Sequence, residues 1–297
     1  MTIKKSGIIT LCGRPNVGKS TLTNALVGEK IAIVTNKPQT TRNRICAVVN
    51  REGCQFVFLD TPGLHKARTR LGDYMVKVVK ESVADVDAVL LLVEPIPHIG
   101  GPEAELIRRI KELNVPAVLV INKIDTVEKE ELLSVMQVYG AAHDFAAIVP
   151  ISAKRNEGVD ELLGLLAQFL PEGPQLFPED MVTDQPERQV CAEIIREKLL
   201  LCLDKEIPHG TAVEITTFSE RDDGIIDLDA TIYCEKASHK GIIIGKGGAM
   251  LKKISTLART DIEAFMGTKV FLQTWVKVKE NWRDNMNLIK NFGYRDE

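Results

Sequence analysis

The sequence predicts a doubly wound α/β domain with a mainly parallel sheet, followed by a smaller α+β domain. Three observations carry that reading. Residues 1–170 hold five short apolar runs, "GIITL", "CQFVFLD", "AVLLLVE", "PAVLVIN" and "AAIVPIS", each apolar throughout, as strands covered on both faces are. Amphipathic stretches of helical length, such as 103–113 and 159–170, separate them. Then "PEGPQLFPEDMVTDQPE", 17 residues with four prolines and little periodicity, ends the alternation and reads as a linker.

Beyond the linker the order changes. Residues 189–203 carry Cys191, Ile194, Ile195, Leu199 and Cys202 on one helical stripe. "TAVEITTFSE" and "IIDLDATIYCE" alternate with period two around "RDDG", a hairpin signal. A short helix ends at "IIIGKGG", a longer one points Leu251, Ile254, Leu257, Ile262 and Phe265 inward, and "VFLQTWVKV" closes as a strand in which Trp275 reads as core. The expected division is therefore 1–172 for the first domain, 173–188 for the linker, 189–283 for an α-β-β-α-α-β domain and 284–297 for a tail or helix. The tail "KENWRDNMNLIKNFGYRDE" either packs or extends the surface of the second domain.

A chain of 297 residues has room for two such cores. With 44% apolar and 27% charged residues it reads as globular, and no apolar run nears the roughly 20 residues of a membrane span. "MTIKKSGIITLCG" has too short an apolar segment for a signal peptide, so an intracellular protein is expected. Cys12, Cys46, Cys54, Cys191, Cys202 and Cys234 are scattered, without metal-ligand spacing, and read as reduced thiols. The net charge of −3 conceals a polarised C-terminal third. Residues 184–235 hold five Lys/Arg against 13 Asp/Glu, and residues 236–283 hold ten against three.

"GRPNVGKS" fits G-x-x-x-x-G-K-[ST] at every fixed position, between an apolar strand and a helix that ends at Gly28. There Gly13, Arg14, Pro15, Asn16, Val17 and Gly18 form a phosphate loop whose glycines let successive backbone N–H groups turn inward, with Thr21 in the first helical turn. Lys19 reaches the β and γ phosphates, and the Ser20 hydroxyl ligates Mg²⁺. "DTPG" (Asp60, Thr61, Pro62, Gly63) closes the second main strand: Asp60 can hold Mg²⁺ through water, and the Gly63 N–H can meet a γ-phosphate. "NKID" supplies Asn122, Lys123 and Asp125, whose carboxylate accepts the N1–H and exocyclic amine of guanine, groups that adenine lacks. "ISAK" places Ser152, Ala153 and Lys154 after the last strand, with a backbone N–H for the guanine carbonyl.

The succession "GRPNVGKS", "PQTTR", "DTPG", "NKID", "SAK" resembles the translation-factor-related GTPases. With a single such domain and "IIIGKGG" downstream, essentially the whole chain resembles the Era family of bacterial ribosome-assembly GTPases, whose second domain is an RNA-binding KH domain. The resemblance implies a P-loop GTPase fold followed by a type II KH domain, GTP or GDP at the sheet's carboxyl edge, and Mg²⁺ held by Ser20 and a switch-loop threonine. Thr41 is preferred to Thr40, a choice that spacing leaves open. Lys19, Thr41 and Gly63 are the residues expected to act on the γ-phosphoryl group. A Ras-like glutamine after the D-x-x-G glycine is replaced by Leu64, which cannot orient water, so slow intrinsic turnover is expected. Asn16 stands where related loops ligate K⁺. The stretch "VTNKPQTTRNR" reads as a mobile switch, "HKARTRLG" suits the second switch, and His65 reads as a surface histidine.

"GKGG" matches the KH G-x-x-G loop, in which a glycine turn between helices approaches single-stranded nucleic acid. A Rossmann fingerprint fails, since no strand leads into it and no further glycine follows at its spacing. The expected RNA residues are Ile243, Ile244, Gly245, Lys246, Gly247, Gly248, Lys252 and Lys253, within a basic surface that Lys240 and Arg259 extend. The resemblance implies the 3′ end of small-subunit ribosomal RNA and the small subunit as partners, with cytoplasmic localisation and a peripheral fraction at the inner face of the cell membrane. A monomer is expected. The competing reading makes the second domain a protein- or membrane-interaction module.

Overall fold

The structure, a computed structural model, describes residues 3–37, 39–63, 69–81, 86–113 and 115–294. It divides into two units. The first comprises Met1–Ala32, Thr41–Lys66 and Met75–Asp184, and the second Ile33–Thr40, Ala67–Tyr74 and Gln185–Glu297.

The runs that are apolar on both faces become the strands of one sheet. These are β1 (Lys5–Cys12), β3 (Cys54–Asp60), β4 (Ala88–Val93), β5 (Ala117–Ile121) and β6 (Ala147–Pro150), all parallel, with β2 (Ile45–Arg51) antiparallel at one edge; the order is β2-β3-β1-β4-β5-β6. Alternate residues serve opposite cores. Ile9, Phe58, Leu90 and Leu92 face Leu22 and Leu26 of α1 (Lys19–Val27) and Leu162 and Leu166 of α5 (Val159–Leu166). Val57, Val89, Leu91 and Val93 face Leu106 and Ile110 of α3 (Gly101–Leu113) and Val135 and Tyr139 of α4 (Lys129–Ala142). The remaining helix, α2 (Arg70–Glu81), precedes β4.

Strand β2 was not among the five runs read from the sequence. It forms because Glu52 (φ 50°) and Gly53 (φ 76°) turn the chain back as a tight hairpin onto β3. The linker does not hang free. Val182 accepts a hydrogen bond from the Val48 N–H at 3.0 Å, Thr183 Oγ1 donates to the Cys46 carbonyl, and buried Gln55 accepts from the amides of Leu176 and Phe177.

The second unit has the expected order: α6 (Glu187–Cys202), β7 (Ala212–Glu220), β8 (Ile226–Cys234), α7 (Ala237–Ile244), α8 (Ala249–Met266) and β9 (Val270–Val278), followed by α9 (Met286–Asn291). Strand β8 pairs antiparallel with β7 and parallel with β9. Ile194, Ile195 and Leu199 of α6, Ile254, Ala258 and Ile262 of α8, and Leu228, Ala230 and Ile232 of β8 build its core. Residues 33–40 belong to this unit: the Val34 N–H donates to Glu197 Oε1 at 2.9 Å, and Arg196 donates to the Thr40 carbonyl. The tail packs: Trp282 is fully buried, donates from Nε1 to the Gly210 carbonyl, and its ring meets Phe292 edge-on.

Three side chains differ from expectation. Trp275 is 57% exposed rather than core, because Val270 and Val276 put the even-numbered residues of β9 inward and its odd-numbered residues outward. Leu257 is exposed on α8, where Ala258 takes the inward position. Ile243, expected in the RNA groove, is fully buried in the core, and Ile242 is the isoleucine at the surface.

Candidate nucleotide-binding site

Most of the predicted nucleotide residues of the first unit lie at or just beyond the carboxyl ends of β1, β3, β5 and β6, where an open parallel sheet places its ligand; Lys19, Ser20 and Thr21 open α1, and Thr41 lies between α1 and β2. The loop after β1 bends through Gly13, Asn16 (φ 67°) and Gly18 (φ 101°) into the start of α1. A Cβ at Gly18 would run into the amide nitrogen of Asn122, and one at Gly63 would lie 2.8 Å from Pro15, so both loops close only on glycine.

Buried Lys19 donates to the carbonyls of Gly13 (3.1 Å) and Arg14 (3.2 Å). Burial lowers its pKa, and the Asp60 carboxylate opposes that shift. Ser20 Oγ donates to Asp60 Oδ2 at 2.7 Å and lies 2.9 Å from Thr41 Oγ1. The Thr40 hydroxyl turns elsewhere, onto Thr35 and the Lys37 carbonyl. Asp60 is fully buried, and its Oδ1 has no hydrogen-bond partner among the described residues. Burial pushes its pKa up to about 6, although Lys19 and the Ser20 hydroxyl pull it down. Two hydroxyls and a carboxylate short of positive charge suit a hard divalent cation such as Mg²⁺. Thr61 has a structural bond, its hydroxyl donating to the Leu11 carbonyl at 2.9 Å; Pro62 is buried beside it. Thr21 lies partly buried in the first turn of α1.

Asn122 joins the loops. Its Nδ2 donates to the Val17 carbonyl at 2.8 Å, and its Oδ1 accepts from the Ala153 N–H at 3.0 Å. Ser152 Oγ donates to Asp125 Oδ1 at 2.7 Å; that bond leads the causes holding the Asp125 carboxyl below its ordinary pKa. Lys123 Nζ donates to the Asn16 carbonyl at 2.7 Å, while Lys154 is exposed at the rim. Leu64 and His65 lie outside the described residues.

Two acids missed in the sequence complete the site. Glu94, at the end of β4, accepts from both Arg14 and Lys123, and buried Glu103 lies 3.4 Å from Arg14 Nε. Burial raises the Glu94 pKa, but the hydrogen bonds from Lys123 and Arg14 outweigh it and leave the net shift downward. The signal was present in "AVLLLVE", an acid ending an apolar strand as Asp60 ends "QFVFLD".

In the second unit, Gly245 (φ 73°), Gly247 (φ 58°) and Gly248 (φ 81°) make a turn between α7 and α8 that side chains would strain. Lys246, Lys252 and Lys253 are exposed around it, Ile244 is partly buried, and the first amides of α8 open beside the lysines.

A glycine-bearing loop of the G-x-x-x-x-G-K-[ST] pattern, two hydroxyls beside a buried carboxylate, and an aspartate just past β5, all on one sheet edge, are the parts of a P-loop GTPase. Residues 8–123 match the family described as 50S ribosome-binding GTPase, and residues 206–283 match the KH domain family. The chain is 53% identical over 291 residues to GTPase Era of Ruminiclostridium cellulolyticum, covering 98% of each. It is also 53% identical over 291 residues to GTPase Era of Alkaliphilus metalliredigens, covering 98% of this chain and 99% of the relative. A crystal structure of an Aquifex aeolicus Era variant bound to GDP·AlF4⁻ is similar with a TM-score of 0.94 at 38% identity, over 98% of this chain and 100% of the other. Era in complex with MgGDPNP and nucleotides 1506–1542 of 16S ribosomal RNA has the same TM-score and identity, over 99% and 100%. The chain belongs to the Era family of GTPases.

Two outcomes follow from the geometry. Asn122→Ala removes two buried hydrogen bonds of about 1–1.5 kcal/mol each, so GDP affinity measured calorimetrically falls by roughly 30- to 140-fold. Because the folded Glu94 pKa is depressed, its contribution is complete above the ordinary glutamate value of about 4.3 and is lost as pH falls through the folded value. The ratio of stopped-flow GDP release rates, Glu94→Gln over the unchanged protein, is therefore above one and flat from about pH 8 to about pH 5 and falls toward one as pH drops through the folded Glu94 value; the titration of Asp60 at about 6 is common to both proteins and cancels in the ratio.

Proposed function

We propose that this GTPase uses its nucleotide state to control binding of single-stranded RNA at the 3′ end of small-subunit ribosomal RNA, and so assists assembly of that subunit. The observation that carries the proposal is the likeness, over 99% of this chain, to an Era complex that holds MgGDPNP and a 16S fragment together. The exposed lysines around the glycine turn agree with it.

In this reading residues 1–172 are the GTP-binding domain, 189–283 the RNA-binding KH domain and 284–297 its C-terminal extension. Lys19 and the loop amides take the charge of the β and γ phosphates, the Gly63 N–H meets the γ-phosphate, and Asp125 reads the purine. Ser20, Thr41 and Asp60 hold Mg²⁺, directly or through water; when bound it neutralises charge on the phosphate oxygens. Leucine follows Gly63, so no side chain at that position positions the attacking water and intrinsic turnover is slow. A K⁺ ion at Asn16 supplies the missing positive charge. We place the protein in the cytoplasm as a monomer, with a peripheral fraction at the inner membrane face; among the described residues no helix is long and apolar enough to cross a membrane.

The test is RNA affinity at fixed salt with a GTP analogue, with GDP and without nucleotide. The expected result is a difference of about tenfold or more between states; equal values remove the switch. Acidic replacement of Gly245, Lys246 and Gly247 abolishes RNA binding and spares GTP turnover, whereas retained RNA affinity favours a protein-interaction module. With Lys246, Lys252 and Lys253 on phosphates, log affinity falls against log salt with a slope of about −2. Replacing Na⁺ by K⁺ raises turnover several-fold, and Asn16→Gly, which tolerates the loop's positive φ, removes the difference.

A further inference from the structure

The three-stranded sheet of the second unit buries one face. Leu228, Ala230 and Ile232 of β8 point into the core with α6 and α8, and Thr274 of β9 bonds Ser255 of α8 at 2.8 Å. The opposite face is half covered by the tail: Tyr233 is 8% exposed and its ring centroid lies 4.7 Å from that of Phe292. The other half is open. There Phe271 is 48% and Trp275 57% exposed, on the strand next to Asp227 and Asp229.

This open half already binds one guanidinium. Arg221 donates from Nε to Asp227 Oδ2 at 2.7 Å and from Nη2 to Oδ1, and its guanidinium carbon lies 5.2 Å from the centre of the Phe271 ring. A carboxylate grips the fork while an aromatic face covers it. A related acid and aromatic, set on the diagonal rather than directly in register, lie two residues along β8. Asp229 pairs in register with Gln273, which places Trp275 at the diagonal position two residues on. Asp229 is half-buried, and among the described residues its carboxylate has neither hydrogen bond nor ion pair. No cation occupies this second pair within the described residues. Glu220, Asp222 and Asp223 at the neighbouring hairpin outnumber Lys277, the next outward residue of β9 after Trp275, and make the surroundings net acidic, which repels nucleic acid and attracts a basic chain.

We propose that Asp229 and Trp275 form a docking site for an arginine side chain of a basic protein, on the face of the sheet turned away from α6 and α8. The Arg221 arrangement is its template. The occupant is an arginine-bearing polypeptide rather than RNA: bases could stack on Trp275, but their phosphates would lie over Asp227 and Asp229. Lysine is a poorer fit, since an ammonium lacks both the planar stack and the bidentate fork.

The chain has two tryptophans, and Trp282 is fully buried, so solvent-sensitive emission reports Trp275. The full-length protein with GDP is titrated with an octa-arginine peptide, an octa-lysine peptide and a single-stranded RNA oligomer. The expected result is a saturable change in emission with octa-arginine, at roughly tenfold higher affinity than octa-lysine. Asp229→Asn removes most of that preference and Asp229→Glu restores part of it. Acidic replacement of Lys246 leaves it unchanged. A photoreactive residue substituted for Gln273, which is exposed on the same face and leaves Asp229 and Trp275 in place, then forms adducts with protein in purified small ribosomal subunits. The proposal is overturned if arginine and lysine peptides bind equally, if Asp229→Asn has no effect, if RNA changes the emission as strongly as octa-arginine, or if the adducts contain RNA alone.

Discussion

The nucleotide site depends on one buried amide. Asn122 sits at the end of β5 with both ends of its side chain committed, one to the phosphate loop and one to the loop after β6. A buried amide with one end unmatched would cost more than the bond itself, so the two loops are fixed together or not at all. Gly18 has no side chain because Asn122 occupies that space. Lys123 and Ser152, on either side of this junction, extend the same connection to Asn16 and Asp125. The loop after β1 and the loops after β5 and β6 are thereby parts of one rigid construction.

Around that junction the protein accumulates charge it does not fully compensate. Lys19 and Asp60 are both buried, each shifted toward its neutral form by desolvation, and Asp60 Oδ1 has no partner among the described residues. Such groups oppose folding by themselves. In the function proposed above, a ligand with phosphate oxygens and a divalent cation would satisfy both at once, so that part of the binding energy would be stored as unsatisfied polarity in the folded protein. The Glu94 bonds to Arg14 and Lys123 show the opposite arrangement, in which the protein satisfies its own charges and holds the loop shape without ligand.

Much of this was legible in the sequence because the chemistry is tied to strand ends. Asp60, Asn122 and Ser152 each follow an apolar run, and a parallel sheet brings such ends to one edge. Thr41 could not be separated from Thr40 by spacing; their hydroxyls separate them, one meeting Ser20 and the other Thr35. Glu94 was hidden by the absence of any fixed motif around it. Strand β2 was hidden because its signal lay in a two-residue turn, Glu52 and Gly53, rather than in its own pattern. For Trp275 and Ile243 the difficulty was phase: "VFLQTWVKV" and "GIII" have apolar residues on both faces, and only packing against α8 and β8 decides which are covered.

The return of residues 171–184 along the first unit has a different consequence. Strand β2 is the outer strand of its sheet, and an outer strand displays unpaired amides and carbonyls to any extended chain that meets it. Val182 and Thr183 occupy that border from within the same molecule. The proline-rich stretch is thus a selvedge: shortening the chain to residue 172 would leave a sticky margin prone to intermolecular association, while ending it after Asp184 would keep the margin sealed.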